Sequence, residues 1–190
     1  MNHTQTNHFN LVEYLAADLH RANQLKNLQP SSQDLIFWLG ILAPRFIPIL
    51  LYRLSFLFYT LKLGIIAKLF SLLNFFLFGI EIAVNCQIGK GLFLPHTQGT
   101  VIGAWKIGEN ATIFQGVTIG AKHIDFSYLA TTRPSIGNNV IIGSGAKILG
   151  GISLADNCSI GANAVVLNDV SANQFAAGVP AKIIKNNNLD

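Results

Sequence analysis

The chain has 190 residues, of which 51% are hydrophobic and only 12% are charged, and its formal net charge is +4. This length is enough for one domain with a sizeable core and an additional segment. The modest positive charge suits an anionic ligand, such as a nucleotide phosphate, or an anionic lipid surface. There is no dense Lys/Arg stripe, so the sequence predicts no nucleic-acid partner.

The N-terminal residues predict short amphipathic helices. A first helix is expected from Asn10, which together with Glu13 resembles a capping box. Its apolar positions recur along one side: Leu11, Leu15, Leu19 and Ala22. A second helix is expected to start at Ser31 with Asp34 and to be interrupted by Pro44 and Pro48. The first twenty residues contain no apolar signal-peptide core, which favours a cytoplasmic protein.

Leu, Ile and Phe predominate in residues 49–78. Three cations interrupt them: Arg53, Lys62 and Lys68. No uncharged run reaches the roughly twenty apolar residues that a transmembrane helix needs. Two interpretations stay open for residues 35–80. They form helices, broken near Gly64, that pack on one another and on neighbouring subunits, or they contact lipid headgroups at a membrane surface.

From residue 82 to residue 166 an aliphatic side chain returns at every sixth position, in three runs. Its positions are Ile82, Ile88, Leu94, Ile107, Ile113, Ile119, Ile136, Ile142, Ile148, Leu154, Ile160 and Val166. A period of six fits neither an α-helix nor simple strand alternation. It is typical of a parallel β-helix of hexapeptide repeats, in which stacked coils bury the aliphatics. Glycine follows many of these positions, and we expect it to permit tight corners with positive φ.

Two irregularities interrupt the repeat. Leu94 and Ile107 are thirteen residues apart, which indicates one inserted residue within 95–99. Ile119 and Ile136 are seventeen apart, so residues 121–134 must leave the prism as a loop. Insertions in solenoids often form binding loops. We therefore expect the functional site where the two irregularities meet.

The pattern divides the chain into three parts. Residues 1–80 form an apolar, α-helical region, residues 81–170 form the β-helix with its loop, and residues 171–190 form a C-terminal turn and tail. Cys86 and Cys158 occupy equivalent inward positions, which predicts core thiols and no disulfide. The solenoid offers His96 and His123 as its histidines, too few ligands for a metal site.

Several motifs resemble, in order and spacing, those of the serine acetyltransferases. They run from about residue 79 to residue 184 and include Gly79-Ile80-Glu81-Ile82, Ile88-Gly89-Lys90-Gly91, Leu94-Pro95-His96, Gln115-Gly116-Val117-Thr118-Ile119-Gly120 and Ala177-Gly178-Val179-Pro180-Ala181. The resemblance implies a left-handed β-helix, a homotrimer with active sites between subunits, and acetylation of a hydroxyl by acetyl-CoA.

The resemblance also implies roles for individual residues. His96 matches the general base, and Glu81 takes the place of the aspartate that orients it. Small positions lining the cofactor groove match Ala121, Ser144, Ala162 and Gly178, and Lys182 is a candidate partner for a CoA phosphate. Substrate-binding positions match Pro95, Gln115 and Arg133.

Two departures concern the acceptor. Pro95 stands where the family has an acidic residue, and Thr132-Arg133 replaces an arginine–histidine pair. Leaving the charges of an amino acid unpaired is costly, so we expect a sugar or glycan hydroxyl as the acceptor, as in capsule, exopolysaccharide or O-antigen assembly. Serine is the alternative acceptor. A non-catalytic trimeric solenoid is the alternative from another class. A lipid-linked acceptor would bring the protein to the cytoplasmic face of the inner membrane.

Overall fold

The computed structural model describes residues 9–28 and 35–184. The predicted helix start at Ser31 and the polar residues 1–8 lie outside these ranges. The helices are α1 (Leu11–Gln24), α2 (Leu35–Leu39), α3 (Ile47–Thr60) and α4 (Gly64–Phe78), with a 3-10 turn at Gly40–Leu42. The strands are β1 (Ile80–Ile82), β2 (Gln87–Ile88), β3 (Thr100–Ile102), β4 (Lys106–Ile107), β5 (Thr112–Ile113), β6 (Thr118–Gly120), β7 (Ser135–Ile136), β8 (Ile141–Ile142), β9 (Lys147–Leu149), β10 (Ser153–Leu154), β11 (Ser159–Ile160), β12 (Val165–Val166), β13 (Phe175–Gly178) and β14 (Ala181–Ile184).

The first helix begins as predicted. The Asn10 side chain accepts hydrogen bonds from the backbone N–H groups of Val12 and Glu13, at 3.1 and 3.3 Å. The reciprocal half of the capping box does not form, because the Glu13 side chain pairs with Lys90 of the β-helix instead. Three of the predicted apolar positions are buried: Leu15, Leu19 and Ala22.

Helices α3 and α4 form an antiparallel pair that separates at Gly64, as predicted. The Asn74 side chain donates to the Pro48 carbonyl at 2.9 Å, and the Ser55 hydroxyl donates to the Ala67 carbonyl at 2.8 Å. Pro48 does not interrupt a helix. It lies in the first turn of α3, where its missing N–H leaves no hydrogen bond unmade.

The strands form three parallel sheets that make the faces of a left-handed β-helix. Sheet A has the order β1-β3-β6-β9-β12, sheet B the order β2-β4-β7-β10, and sheet C the order β5-β8-β11-β13, followed by the antiparallel β14. Each coil contributes one strand to each face in turn. All twelve aliphatic side chains of the six-residue pattern are buried, which confirms the predicted core.

The glycines after the aliphatics serve a different purpose from the one predicted. In most corners positive φ occurs two residues later, at asparagines such as Asn139 or glycines such as Gly145. A Cβ added to Gly143 would lie 2.7 Å from the backbone nitrogen of Ala162, and one added to Gly108 would lie 2.7 Å from the carbonyl carbon of Gly137. These glycines are therefore required because adjacent coils approach closely.

The insertion near His96 is larger than predicted. Ile102 pairs with Ile82 and Ile119 in sheet A and is fully buried, so it is a core position that the six-residue phase missed. Leu94 and Ile102 are eight residues apart, and Ile102 and Ile107 are five apart. Two residues are thus inserted after Leu94, and one is deleted in the next corner.

The β-helix also continues further than predicted. Val170 bridges to Leu154, and Ala176 of β13 pairs with Ile160; Val170 and Ala176 are both buried. The chain therefore completes one more coil before β14 turns back on β13. The spacing of four residues from Val166 to Val170 hides this coil in the sequence.

The helices close the first coil through a buried ion pair. Arg53 and Asp18 are fully buried, and the Arg53 Nε donates to Asp18 Oδ2 at 2.9 Å. The guanidinium also donates to the carbonyl oxygens of Ile88 and Gly89, both at 2.7 Å, while Asp18 accepts from the Leu92 N–H at 2.8 Å. Arg53 is therefore not the surface cation that the lipid-contact interpretation assumed.

Tyr52 completes this closure. Its hydroxyl donates to the Cys86 carbonyl at 2.8 Å and accepts from the Ile88 N–H at 3.2 Å. Because β2 is the outer strand of sheet B, these backbone groups have no neighbouring strand to pair with. Buried backbone groups need partners, and the α1 and α3 side chains supply them.

Candidate active site

Five of the predicted site residues lie along one corner of the prism: His96, Gln115, Ser144, Ala162 and Gly178. We call the turn from a sheet C strand to the next sheet A strand the C-to-A corner. In successive coils, the carbonyl oxygen of the residue before the positive-φ position accepts a hydrogen bond from a backbone N–H of the next coil. Gln98 O accepts from Gly116 N at 3.0 Å, Gln115 O from Gly145 N at 2.9 Å, and Ser144 O from Asn163 N at 2.8 Å. The register thus aligns one column of residues: Gln98, Gln115, Ser144, Ala162 and Gly178.

His96 projects from this column in the first coil. The two inserted residues, His96 and Thr97, precede Gln98, whose backbone holds the regular corner position. The Thr97 hydroxyl donates to the Phe78 carbonyl at 2.8 Å, and this contact fixes the bulge against the end of α4. The His96 side chain itself is exposed.

Glu81 lies on β1, which pairs with β3, the strand that follows this bulge. It is an exposed residue of β1, on the outer face of sheet A. It lines a cleft of about 300 Å³ between β1 and α4, together with Lys68, Ser71, Leu72 and Phe75. Within the described ranges the side chains of Glu81 and His96 form no hydrogen bond or ion pair. Both groups are free to contact a substrate.

The loop of residues 121–134 leaves the prism at the opposite edge of sheet A. It begins after β6, at the turn from sheet A to sheet B, whereas the His96 bulge precedes β3. The expectation that the two irregularities meet is therefore wrong for a single chain. Ala121, at the base of the loop, lies at this second corner and away from Ser144, Ala162 and Gly178.

Asp125 organises the interior of the loop. Its carboxylate accepts from the Ser127 hydroxyl at 2.7 Å and from the Thr132 hydroxyl at 2.8 Å, and Arg133 Nε lies 3.1 Å away. The hydrogen bonds from Ser127 and Thr132 hold the pKa of Asp125 well below its usual range. The loop is thus folded around an ionised carboxylate.

Arg133 is committed to the same network. Nη1 donates to the Gly103 carbonyl at 2.9 Å, Nη2 donates to the Asp125 carbonyl at 3.1 Å, and the guanidinium lies 4.0 Å from the centre of the Tyr128 ring. Three of the five N–H groups that an arginine carries are used within the chain. The structure therefore gives Arg133 a loop-anchoring position that the sequence did not indicate.

The side chain of Gln115 carries a hydrogen-bond acceptor that no donor of the described chain contacts. Its Oε1 is buried and has no hydrogen-bond partner in the described chain. A buried carbonyl oxygen normally finds a donor, so this atom fits a ligand N–H, such as an amide of the pantetheine arm of CoA. Lys182 is exposed on β14, opposite Ala177, at the far end of the same column.

The remaining reactive groups do not form a second centre. Burial raises the pKa of the Cys86 thiol to about 12 and that of Cys158 to about 11, so both stay protonated at neutral pH. Among the residues that the structure describes, no three His, Cys, Asp or Glu side chains form a metal-binding group. Sequence reasoning missed Gln98 and the cleft residues Lys68 and Ser71, which no repeat marks.

Comparison with known proteins adds to this geometry. The bacterial transferase hexapeptide (six repeats) family matches residues 133–168. The serine acetyltransferase of Helicobacter pylori strain J99 is 41% identical over 145 residues, which are 76% of this chain and 83% of the relative. The chain belongs to the serine acetyltransferase family. A Staphylococcus xylosus serine acetyltransferase is 44% identical over 128 residues, 67% of this chain and 58% of that protein.

Solved structures of the serine acetyltransferase family share the fold. The Neisseria gonorrhoeae enzyme superposes with a TM-score of 0.79 at 28% identity, covering 95% of this chain and 72% of that one. A serine acetyltransferase in complex with CoA gives a TM-score of 0.78, also at 28% identity, and covers 92% and 69%. The protein is an acetyl-CoA-dependent acyltransferase, and its structural relatives are consistent with a trimer. These relatives favour serine over the polysaccharide acceptor that the sequence suggested.

Proposed function

We propose that this protein transfers the acetyl group of acetyl-CoA to the hydroxyl of serine, in a site between subunits of a cytoplasmic homotrimer. The observation that carries the proposal is His96, exposed on a two-residue bulge at one end of the column of small residues. The relatives that bear the name serine acetyltransferase support the choice of acceptor.

His96 acts as the general base. A hydroxyl is a poor nucleophile at neutral pH, and a neutral imidazole removes its proton as it attacks the thioester carbonyl. General-base catalysis contributes about 10² to 10⁴ in rate. Glu81 is the carboxylate available in the first coil to orient the imidazole and stabilise its protonated form.

The C-to-A corner holds the pantetheine arm. Ser144, Ala162 and Gly178 keep the corner narrow, and the Gln115 carbonyl oxygen accepts an amide N–H. From the first coil to the fifth there are four steps of about 4.8 Å each, or about 19 Å in all. The thiol end then lies at His96 and the nucleotide end near Lys182, whose charge suits a phosphate.

The cleft between α4 and β1 suits an acceptor that carries a carboxylate. It presents the Lys68 ammonium, which complements the carboxylate of an amino acid, next to Glu81, the partner proposed for His96. A sugar hydroxyl remains a second candidate. Pro95 carries no charge, and Arg133 is paired with Asp125 inside its own loop, so these two positions offer a neutral acceptor no conflict.

A neighbouring subunit completes the site. The His96 bulge and the loop lie on opposite edges of sheet A, so one chain cannot bring Ala121 to the column. Around a three-fold axis, the loop of one copy reaches the C-to-A corner of the next. This arrangement accounts for the position of Ala121 in the cofactor site.

The test compares acceptors with the purified full chain. CoA release from acetyl-CoA is measured with L-serine and with a panel of nucleotide sugars, for the native protein and for His96→Asn. We expect turnover with serine and a fall of at least about a hundredfold in kcat for the variant, with CoA binding retained. His20→Asn, at an exposed histidine of α1 outside the site, is the matched control and keeps its activity.

A second variant separates the two acceptors. Lys68→Gln should raise KM for serine and leave KM for acetyl-CoA unchanged, whereas a neutral sugar would not respond to this charge. Turnover with sugars alone would overturn serine as the acceptor. Full activity in His96→Asn would overturn His96 as the base.

A further inference from the structure

Helix α4 carries an apolar face that the described chain leaves uncovered. Its packed side holds the buried residues Ala67 and Asn74, which contact α3. With about 100° of rotation per residue, the opposite side carries Ile65, Leu69 and Phe76, which are 88%, 55% and 73% exposed. Soluble surfaces rarely expose such a continuous apolar patch unless it is an interaction site.

Cations predominate around this face, and Glu81 lies next to it, in the cleft beside Lys68. Residues 35–80 contain four cations and no Asp or Glu. Arg53 is neutralised by Asp18 in the interior. Arg45, Lys62 and Lys68 remain exposed. Because α3 and α4 are antiparallel, Lys62 lies beside the start of α4 and Arg45 lies near its end. The apolar face therefore has a cation at each end.

The dimensions of α4 suit a surface position. It has 15 residues, about 22 Å at 1.5 Å per residue. The hydrocarbon core of a bilayer is about 30 Å thick. No helix in the described ranges is long and apolar enough to cross it. An apolar face with cations at both ends is typical of helices that lie in the plane of the membrane interface.

Association of the chain with itself through this face fits the charges less well. In a symmetric contact between two copies of this face, Arg45, Lys62 and Lys68 would face cations, and Glu81 is a single carboxylate against these three charges. Like charges across an interface are costly. Anionic lipid headgroups supply the missing negative charge without such a conflict. We propose that α4 lies on the surface of an anionic membrane, with Ile65, Leu69 and Phe76 inserted and with Arg45 and Lys62 among the headgroups.

The experiment is flotation of the full-length protein with vesicles. Vesicles of phosphatidylcholine alone are compared with vesicles that contain phosphatidylglycerol, at low and high salt. We expect binding to the anionic vesicles that weakens as salt rises. Ile65→Ser/Phe76→Ser should weaken it about tenfold or more, because the inserted apolar area is lost. Val12→Ser, an exposed apolar position of α1, is the matched control and should bind as the native protein does.

A second variant replaces exposed cations instead of apolar residues, so a loss of vesicle binding would not be caused by misfolding. Arg45→Gln/Lys62→Gln leaves the α3–α4 contacts intact and should weaken anionic-vesicle binding about fivefold per cation. Lys26→Gln, at an exposed cation in the turn after α1, is its control. Equal binding to neutral and anionic vesicles would overturn the proposal. A native protein that binds neither kind of vesicle would overturn it as well. A smaller assembly of Ile65→Ser/Phe76→Ser in sedimentation would then show that α4 contacts another copy.

Discussion

Replacing Asp18 by asparagine tests how the helices are joined to the β-helix. The native carboxylate accepts hydrogen bonds from Arg53 Nε at 2.9 Å, Arg53 Nη2 at 3.1 Å and the Leu92 N–H at 2.8 Å. Both charged side chains are fully buried. Asn keeps the shape of the side chain but leaves the guanidinium without its counter-charge.

The size of the effect follows from this burial. Removing one partner of a buried ion pair costs about 3–5 kcal/mol, because the remaining charge is uncompensated. For a domain of roughly this length, 1 kcal/mol shifts Tm by about 2–4 °C. Asp18→Asn should therefore lower Tm by roughly 6–20 °C. The double variant Asp18→Leu/Arg53→Met should lose less than the sum of its single variants, because it leaves no buried charge.

The assay is urea and thermal unfolding followed by circular dichroism, at one protein concentration because assembly contributes to stability. Glu13→Gln provides the control on the same helix. Glu13 pairs with Lys90 at the surface, where such pairs contribute about 0–1 kcal/mol. If Asp18→Asn destabilises the protein no more than Glu13→Gln does, the buried pair does not join the two regions as argued.

Three further predictions concern the β-helix and its loop. Gly143→Ala should cost about 1–3 kcal/mol in urea unfolding, because its Cβ meets the next coil, whereas Gly120→Ala, with nothing within 4 Å, should be nearly neutral. Ala162→Leu should raise KM for acetyl-CoA at least about tenfold, because the larger side chain fills the C-to-A corner. Ala172→Leu, on another corner, should leave this KM unchanged. If both variants raise KM equally, Ala162 does not line the cofactor site. The pKa of Asp125 is lowered in the folded loop, so the ionised carboxylate stabilises the loop fully above about pH 4, the pKa of a free aspartate. This stabilisation is lost as the pH falls below that value, so acid should increase proteolysis of the native loop. Asp125→Asn should be cleaved readily at every pH.

The repeating core was predictable because its period is a direct consequence of its geometry. Each hexad forms one face of the prism, so Ile136, Ile142 and Ile148 mark three successive faces in the sequence as well as in the structure. Ile102 was missed because an insertion before it and a deletion after it place it out of phase with both neighbours. The interval from Leu94 to Ile107 is only one residue longer than two hexads, and this net difference concealed a two-residue insertion and a one-residue deletion.

Other features depend on contacts that no local pattern encodes. Arg53 is a cation in an apolar helix, and only its position against Asp18 and the first coil distinguishes a buried partner from a surface charge. Arg133 could be recognised as a functional candidate from its place before Pro134, but not as the anchor of its own loop. The resemblance to serine acetyltransferases did select Gln115, Ser144, Ala162 and Gly178, which the fold aligns on one corner.

A stack of parallel strands is open at both ends and can act as a template for the addition of further chains. Here, Tyr52 and Arg53 occupy the backbone groups that an incoming chain would need at the first coil. At the other end, β14 folds back and covers the outer strand of sheet C. A second molecule would have to displace these elements before it could extend the stack. Growth into fibres is thereby discouraged, and the sides of the prism remain the surfaces through which copies can associate.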